Sequence, residues 1–589
     1  MCGIAGFVNL DGAPADAVVV AAMMRTIRHR GPDDRGQILL SLRDNGIADT
    51  ALGFHRLNIL DLSEHGHQPM VNPSATIALA FNGEIYNAFD YKSELEAAGY
   101  RFRSSTDTEV VLYLYEQYGL EGMLERLNGM FAIAIVDLRS HEVHLARDHF
   151  GIKPLYWAQA GSSVLFASEA KAFLAHPAFT AAIDEDHVDE HLAFRYVAGE
   201  ASLLTGVRQV RPGHRVRITP EGVTTARFWS IPDGAEKTRL PREAAVDQLD
   251  DLMRRSVASQ LQSDVKVGCQ LSGGVDSSLV TIFAAPHFVA GMDAFSVVFE
   301  DPKFSEDRWI GEAAAMAQVE SHPVLFTESS FIDPLDRATW HMDQPISHPN
   351  SLGIWQLAQR ARERVTVLLS GEGADEVFAG YSRFADVRPV QQFIQATQFQ
   401  PALKLARLRP EANLEPGLAR RAAIFSEGRG DHLSNCLKYE MQTFLVDVLM
   451  RQDKMTMAHG VENRVPFLDR RVVEFARTLP AEYLVAEREA KIMVKDLARR
   501  SFDNAFVFRP KGAFNLPLSQ YFRSAAFTEL MEDRLLPGMR QRGLVSEPAV
   551  RQLWRRSLSA PALTEPFWIP VAFELWAQQF VDGAGYLSA

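Results

Sequence analysis

The sequence predicts two joined folds: an α+β domain with antiparallel strands in front, and an α/β domain with a parallel sheet behind it. Three observations carry this. In the first third, the β-rich run 131–136 is separated by the short polar turn 138–141 from a second run at 142–146, and the pair reads as a hairpin. From residue 265 onward, short apolar strands alternate with helical segments, the pattern of a parallel sheet with ligands at the carboxyl ends of its strands. Between the two, residues 231–241 (IPDGAEKTRLP) are polar, with a glycine and two prolines, a linker composition. The division expected is residues 1–215 and 240–589.

Length and composition narrow the class. A chain of 589 residues exceeds a single core. Hydrophobic residues make up 47% and charged residues 23%, as in a soluble globular protein. The net charge of −13 argues against a general nucleic-acid binder, which needs a basic face. The 3 cysteines, Cys2, Cys269 and Cys436, form no disulfide framework, so a reducing cytoplasm is the expected location. The opening MCGIAGF lacks a basic leader, and no apolar run is long enough to span a bilayer, so no membrane partner is expected.

The first element with legible chemistry is the front end. Cys2 follows Met1, and trimming of the methionine would leave an α-amine on the residue that carries the thiol. That amine has a reference pKa of about 7.7–8.0, so it can act as base for its own side chain. Strand-like runs follow at 131–136, 142–146 and 163–167, with a helical, apolar run at 110–118. VRQVRPGHRVRI, residues 207–218, reads as the last strand pair of the first domain. An amphipathic stretch at 242–261 opens the second.

The second domain is organised around SGGVDSS, residues 272–278. An apolar run, VKVGCQL, precedes it and a helix-compatible run follows. Strand, glycine turn and helix start together aim backbone N–H groups at one point, which suits a phosphate or pyrophosphate. No GKS or GKT follows the glycines, so this is not a Walker loop. Asp276 adds a carboxylate beside the anion, as a magnesium ion between them would require. Strands are expected at 294–299, 322–326 and 365–369, with a helix at 307–318. Directly after the third comes SGEGADEVFAGY, residues 370–381. It sets Glu372, Asp375 and Glu376 among glycines, a charge density that a divalent cation with a triphosphate would balance.

These motifs carry a family resemblance. RHRGPDD (28–34), HRLNILDLSEHGHQPM (55–70), FNGEIYN (81–87), SSTDTEV (104–110), LNGMFAIAIVD (127–137) and ARDHFGIKPLYW (146–157), with the MCGIAGF start, closely resemble the glutaminase domain of class II glutamine amidotransferases. SGGVDSS resembles the pyrophosphate loop of ATP pyrophosphatases. SGEGADEVFAGY, MRQDKMTMAHGVENRVPFLD (450–469) and RPKGAFNLPL (509–518) resemble segments of asparagine synthetases and their relatives. The resemblance implies a four-layer αββα sandwich of the N-terminal nucleophile type, followed by an adenine nucleotide α-hydrolase-like domain.

It also implies roles. Cys2 would attack the glutamine amide carbon, with the Asn82 side-chain amide and the Gly83 N–H holding the oxyanion. Arg56 would pair with the α-carboxylate of glutamine, and Asp107, helped by Glu84, with its ammonium. Leu271, Ser272, Gly273, Gly274, Asp276, Ser277, Val297, Ser370 and Gly371 would bind ATP, Asp276 and Asp375 would hold Mg2+, and Glu372 and Lys511 would act at the forming acyl-adenylate. Asp453, Lys454 and Arg464 receive no role, and Met455 and Met457 read as core. The activity implied is glutamine-dependent asparagine synthesis from aspartate and ATP. The alternative is an amidotransferase of the same family acting on another carboxylate, such as a sugar acid of a surface polysaccharide. A homodimer is common in that family.

Overall fold

The structure, a computed structural model, describes residues 2–43, 45–384, 389–399, 402–486, 489–509 and 516–583. Lys511, expected at the synthetase site, lies outside them, as do Met1 and residues 584–589 of the tail.

Twelve strands among the described residues build the first domain. β1 (Gly3–Asn9), β2 (Asp34–Leu40), β3 (Thr50–Arg56), β8 (Tyr156–Ala160), β9 (Ser163–Ala167) and β10 (Val207–Gln209) form one sheet in the order β10-β8-β9-β1-β3-β2. β4 (Met70–Val71), β5 (Ile77–Ile85), β6 (Gly129–Asp137), β7 (Glu142–Arg147), β11 (His214–Thr219) and β12 (Gly222–Arg227) form the other, in the order β12-β11-β7-β6-β5-β4. Every pairing in both is antiparallel.

Side chains alternate across each strand, and the alternation creates the layers. Cys2, Ile4 and Val8 of the first strand region join Leu52 and Phe54 in a core shared with Ala78, Ala80, Ala132 and Ala134 of the facing sheet. The opposite faces bury elsewhere. Ala5, Phe7 and Ala51 lie with Met23 and Met24 of the helix Ala17–Thr26. Leu79, Phe81, Phe131, Ile133 and Ile135 lie under Val110, Val111 and Leu114 of the helix Asp107–Arg126. This is the αββα sandwich. The 207–218 stretch departs from the expected strand pair. Its two strands, β10 and β11, enter different sheets, and β12 follows as a further edge strand. The reason is the connection: Arg147 buries its guanidinium against Val210 O, at 2.8 Å, and the chain there crosses from one sheet to the other.

The linker is pinned to the second domain, where Arg477 donates to Pro232 O at 2.8 Å and Lys438 pairs with Asp233 at 2.6 Å. The second domain holds β13 (Val267–Gln270), β14 (Asp293–Phe299), β15 (Glu320–Phe326), β16 (Val367–Leu369) and β17 (Glu462–Arg464), all parallel, in the order β15-β14-β13-β16-β17. The order reverses between β13 and β16. Open parallel sheets bind ligands at such a point, outside the carboxyl ends of the strands. SGGVDSS leaves β13 there and SGEGADEV leaves β16 there. Met455 and Met457 are fully buried, as core residues.

Candidate functional site

Cys2 sits at the start of β1, where it is buried and its thiol is pushed up chiefly by that burial. The Cys2 backbone N–H donates to Asn82 Oδ1 at 2.8 Å. Asn82, on β5, is fully buried, and its Nδ2 has no hydrogen-bond partner. A buried donor left unpaired costs roughly 1–3 kcal/mol, so this group is available to an incoming acceptor. Gly83 follows on the same strand, opposite Phe131.

Around this pair stand the residues expected to grip an amino acid. Arg56, at the end of β3, is buried. It donates from Nη1 to Ser63 O at 2.9 Å and from Nη2 to Leu60 O at 3.1 Å and Asp61 O at 2.5 Å. The loop 60–63 thus fixes the guanidinium and leaves part of its donor fork unspent. Asp107 starts the helix Asp107–Arg126 and accepts from Ile85 N at 2.8 Å. Burial raises its carboxyl to about 6. The Glu84 carboxyl is raised well above its ordinary range, by burial first, with Asp107 adding to the effect against the pull of Arg464. A cation brought beside either buried carboxyl would favour its charged form.

The second cluster lies at the switch point. Gly273 has φ +76, a left-handed conformation, and a Cβ there would come within 3.0 Å of the Ile310 N. Serine hydroxyls stiffen the loop: Ser272 Oγ and Ser277 Oγ lie 3.0 Å apart, and Ser277 Oγ donates to Gly274 O at 3.2 Å. The other loop is in contact with it, since a Cβ on Gly371 would meet Ser277 N at 2.7 Å. Ser370 donates its N–H to Arg464 O at 2.9 Å and accepts from Asn463 Nδ2 at 3.1 Å. Leu271 spends its N–H on Phe295 O at 2.8 Å, leaving its carbonyl, which also accepts from Ser296 Oγ. Val297 pairs with Val324 along the strand.

Asp276 and Asp375 come together, as a shared ligand set requires. The sequence did not reveal what joins them: Lys491 Nζ lies 2.6 Å from Asp276 Oδ2 and 2.5 Å from Asp375 Oδ1. Lys491 arrives from more than a hundred residues downstream at φ +60, on the N-terminal side of the helix Ile492–Ala498. Only that positive φ on a non-glycine marks it. Asp276 Oδ1 stays buried with no hydrogen-bond partner, an orphaned hard oxygen that fits a divalent cation. Glu372 lies 3.6 Å from Arg451 Nη2. Glu376 is buried and its carboxyl is raised to about 7, by burial and then by Asp375.

The residues without an assigned role join the domains. Arg30 donates to Cys2 O at 3.0 Å, to Glu169 at 2.7 Å and to Asp453 at 2.9 Å. Lys454 reaches the Tyr156 hydroxyl at 3.0 Å. Arg464 lies 3.5 Å from Glu84 Oε1. A buried seam of charge therefore separates the two clusters.

An αββα domain with an N-terminal cysteine, joined to a parallel sheet with two loops meeting at its switch point, defines a two-site amidotransferase class. Comparison agrees. Residues 1–229 match the glutamine amidotransferase domain and residues 248–578 match asparagine synthase. The chain is 31% identical over 569 residues to asparagine synthetase [glutamine-hydrolyzing] 1 of Bacillus subtilis (strain 168), covering 89% of this chain and 88% of that one. It is 30% identical over 544 residues to asparagine synthetase [glutamine-hydrolyzing] 3 of the same organism, covering 87% of each. The chain belongs to the asparagine synthase family. No helix among the described residues is long and apolar enough to cross a membrane.

Proposed function

We propose that this protein is a glutamine-dependent asparagine synthetase. The observation that carries the reading is the placement of the two clusters on either side of β17. Arg464 faces Glu84 of the first cluster with its side chain and holds Ser370 of the second with its carbonyl. Two half-reactions that share a labile intermediate need this proximity.

In the first half-reaction Cys2 attacks the side-chain amide of glutamine. Asn82 Nδ2 and the Gly83 N–H receive the oxyanion, a contribution of roughly 10²–10³ in rate per donor. Arg56 holds the α-carboxylate, Asp107 and Glu84 the ammonium. Ammonia leaves, and water releases glutamate from the Cys2 thioester. In the second, the loops 272–277 and 370–371 cradle ATP. The aspartate β-carboxylate attacks its α-phosphorus, and pyrophosphate departs. Ammonia then displaces AMP from the acyl-adenylate. Leu271 and Val297 border the adenosine; Glu372, and Lys511 by its motif, act at the reacting carbonyl. Asp276 and Asp375 would hold Mg2+, which when bound neutralises charge on the phosphates. The buried seam between the clusters keeps ammonia from water, where it would protonate.

The test is an incubation of purified protein with ATP, magnesium, glutamine and aspartate, followed by mass spectrometry. Asparagine, AMP and pyrophosphate formed in step support the reading. Glutamate without asparagine leaves the glutaminase half and removes aspartate as acceptor.

A further inference from the structure

We propose that Arg464 is a positioning residue that completes the glutamine site from the second domain and ties its occupancy to the nucleotide loop. The inference rests on the reading above, in which Glu84 receives the ammonium of glutamine.

The geometry is specific. Arg464 is fully buried on β17. Its Nε donates to Glu462 at 2.6 Å, and its Nη1 to Gln260 O at 2.6 Å and Gln262 O at 2.7 Å. These three bonds fix the plane of the guanidinium. Nη2 alone has no hydrogen-bond partner, and Glu84 Oε1 stands 3.5 Å from it, within ion-pair reach but short of a hydrogen bond. A planar fork anchored on two of its three nitrogens cannot swing to close that gap. It closes only if Glu84 shifts or the strand moves.

The same residue grips the other site. Leu369 pairs with Arg464 across the sheet, Arg464 O accepts from Ser370 N at 2.9 Å, and the preceding Asn463 donates to Ser370 Oγ at 3.1 Å. A three-residue strand therefore reads a carboxylate of the first pocket on one side and holds the nucleotide loop on the other. Burial raises the carboxyls of both Glu84 and Asp107, against the pull of Arg464 on Glu84. An arriving ammonium favours their charged forms, which strengthens the pull of Glu84 on Arg464. Conversely, a nucleotide that fixes Ser370 fixes β17, and Arg464 then stands ready for the charged Glu84. The two ligands bias one element, so each must alter the affinity for the other by the same factor.

The experiment uses the full chain carrying Cys2→Ala, which binds glutamine without hydrolysing it. Calorimetry reads the glutamine Kd with and without α,β-methylene-ATP and magnesium chloride, and then the reverse titration. The expected result is a tightening of about fivefold or more in both directions, falling below about twofold on adding Arg464→Lys while each ligand alone still binds. Asn463→Ala, with Arg464 intact, frees Ser370 Oγ from the strand and should also lower the factor, and covers the case in which the buried Arg464 variant does not fold. An undiminished factor in either variant, or no coupling in the Cys2→Ala parent, overturns the inference and leaves the proposed function standing. A parent that binds no glutamine at all removes the glutamine reading, and the inference with it.

Discussion

Lys491 places its ammonium 2.6 Å from Asp276 Oδ2, inside the carboxylate pair expected to hold a metal. The ion pair is buried, and Lys491 stays charged because Asp276 and then Asp375 outweigh the burial that opposes it. The lysine thus occupies the electrostatic position that a divalent cation between the two carboxylates would take. Removing it leaves two buried carboxylates facing each other. Lys491→Met should cost about 3–5 kcal/mol of stability, the usual price of breaking a buried pair, read as a lowered Tm. Manganese binding by the same variant, followed by paramagnetic resonance, should tighten. A weaker manganese site would show that Lys491 does not compete for these oxygens.

Asp276→Asn keeps the loop shape and removes one charge and one hard ligand. Pyrophosphate release from ATP and aspartate should fall by at least about a hundredfold, since weakening the hold on a cation that neutralises the phosphates costs several kcal/mol of transition-state stabilisation. Glutamine hydrolysis measured without ATP should be unaffected. Undiminished pyrophosphate release would remove Asp276 from the metal assignment.

Cys2→Ala should abolish asparagine formation from glutamine and retain formation from ammonium chloride, because the second cluster does not use the thiol. Asn82→Ala should lower glutaminase kcat by roughly 10²–10³ with a smaller change in KM, the signature of a donor that acts on the developing oxyanion. A raised KM with kcat unchanged would instead mark Asn82 as a binding residue.

Asp107 gives a pH prediction with a definite sign. Burial raises its carboxyl from 3.8 to about 6 in the empty site. Below that value it is protonated and offers no charge to the glutamine ammonium. Glutamine KM should therefore rise as pH falls through about 6, steadily, with ammonia-dependent synthesis free of that step. Because the folded-state value lies above the unfolded one, this group costs stability as pH rises from about 4 to about 6, and the cost is full above that window. A KM flat across pH 5 to 7 would mean Asp107 is not the ammonium partner.

Much of the site was legible along the chain because each half rests on local strings. Asn82 and Gly83 are neighbours on one strand, and Ser272 to Ser277 form one turn between a strand and a helix, so their geometry follows from backbone rules within a few residues. Asp276 and Asp375 were paired in advance by their motifs. Lys491 was invisible because its meeting with them depends on a positive φ and on helix packing, neither of which has a local pattern. The stretch 207–218 reads as a strand pair for a similar reason: a short polar connection looks the same whether it turns back within one sheet or crosses to another.

By itself, the sequence determined the two folds and the two glycine loops that follow β13 and β16, since periodicity and turn glycines act over short range. Only the tertiary structure decided how the halves meet. Arg30 finds Asp453, 423 residues away, and Arg464 finds Glu84 across the same seam. Burying such charges is tolerable only when partners from distant segments arrive together, and that arrival is a property of the packed domains rather than of any stretch of chain.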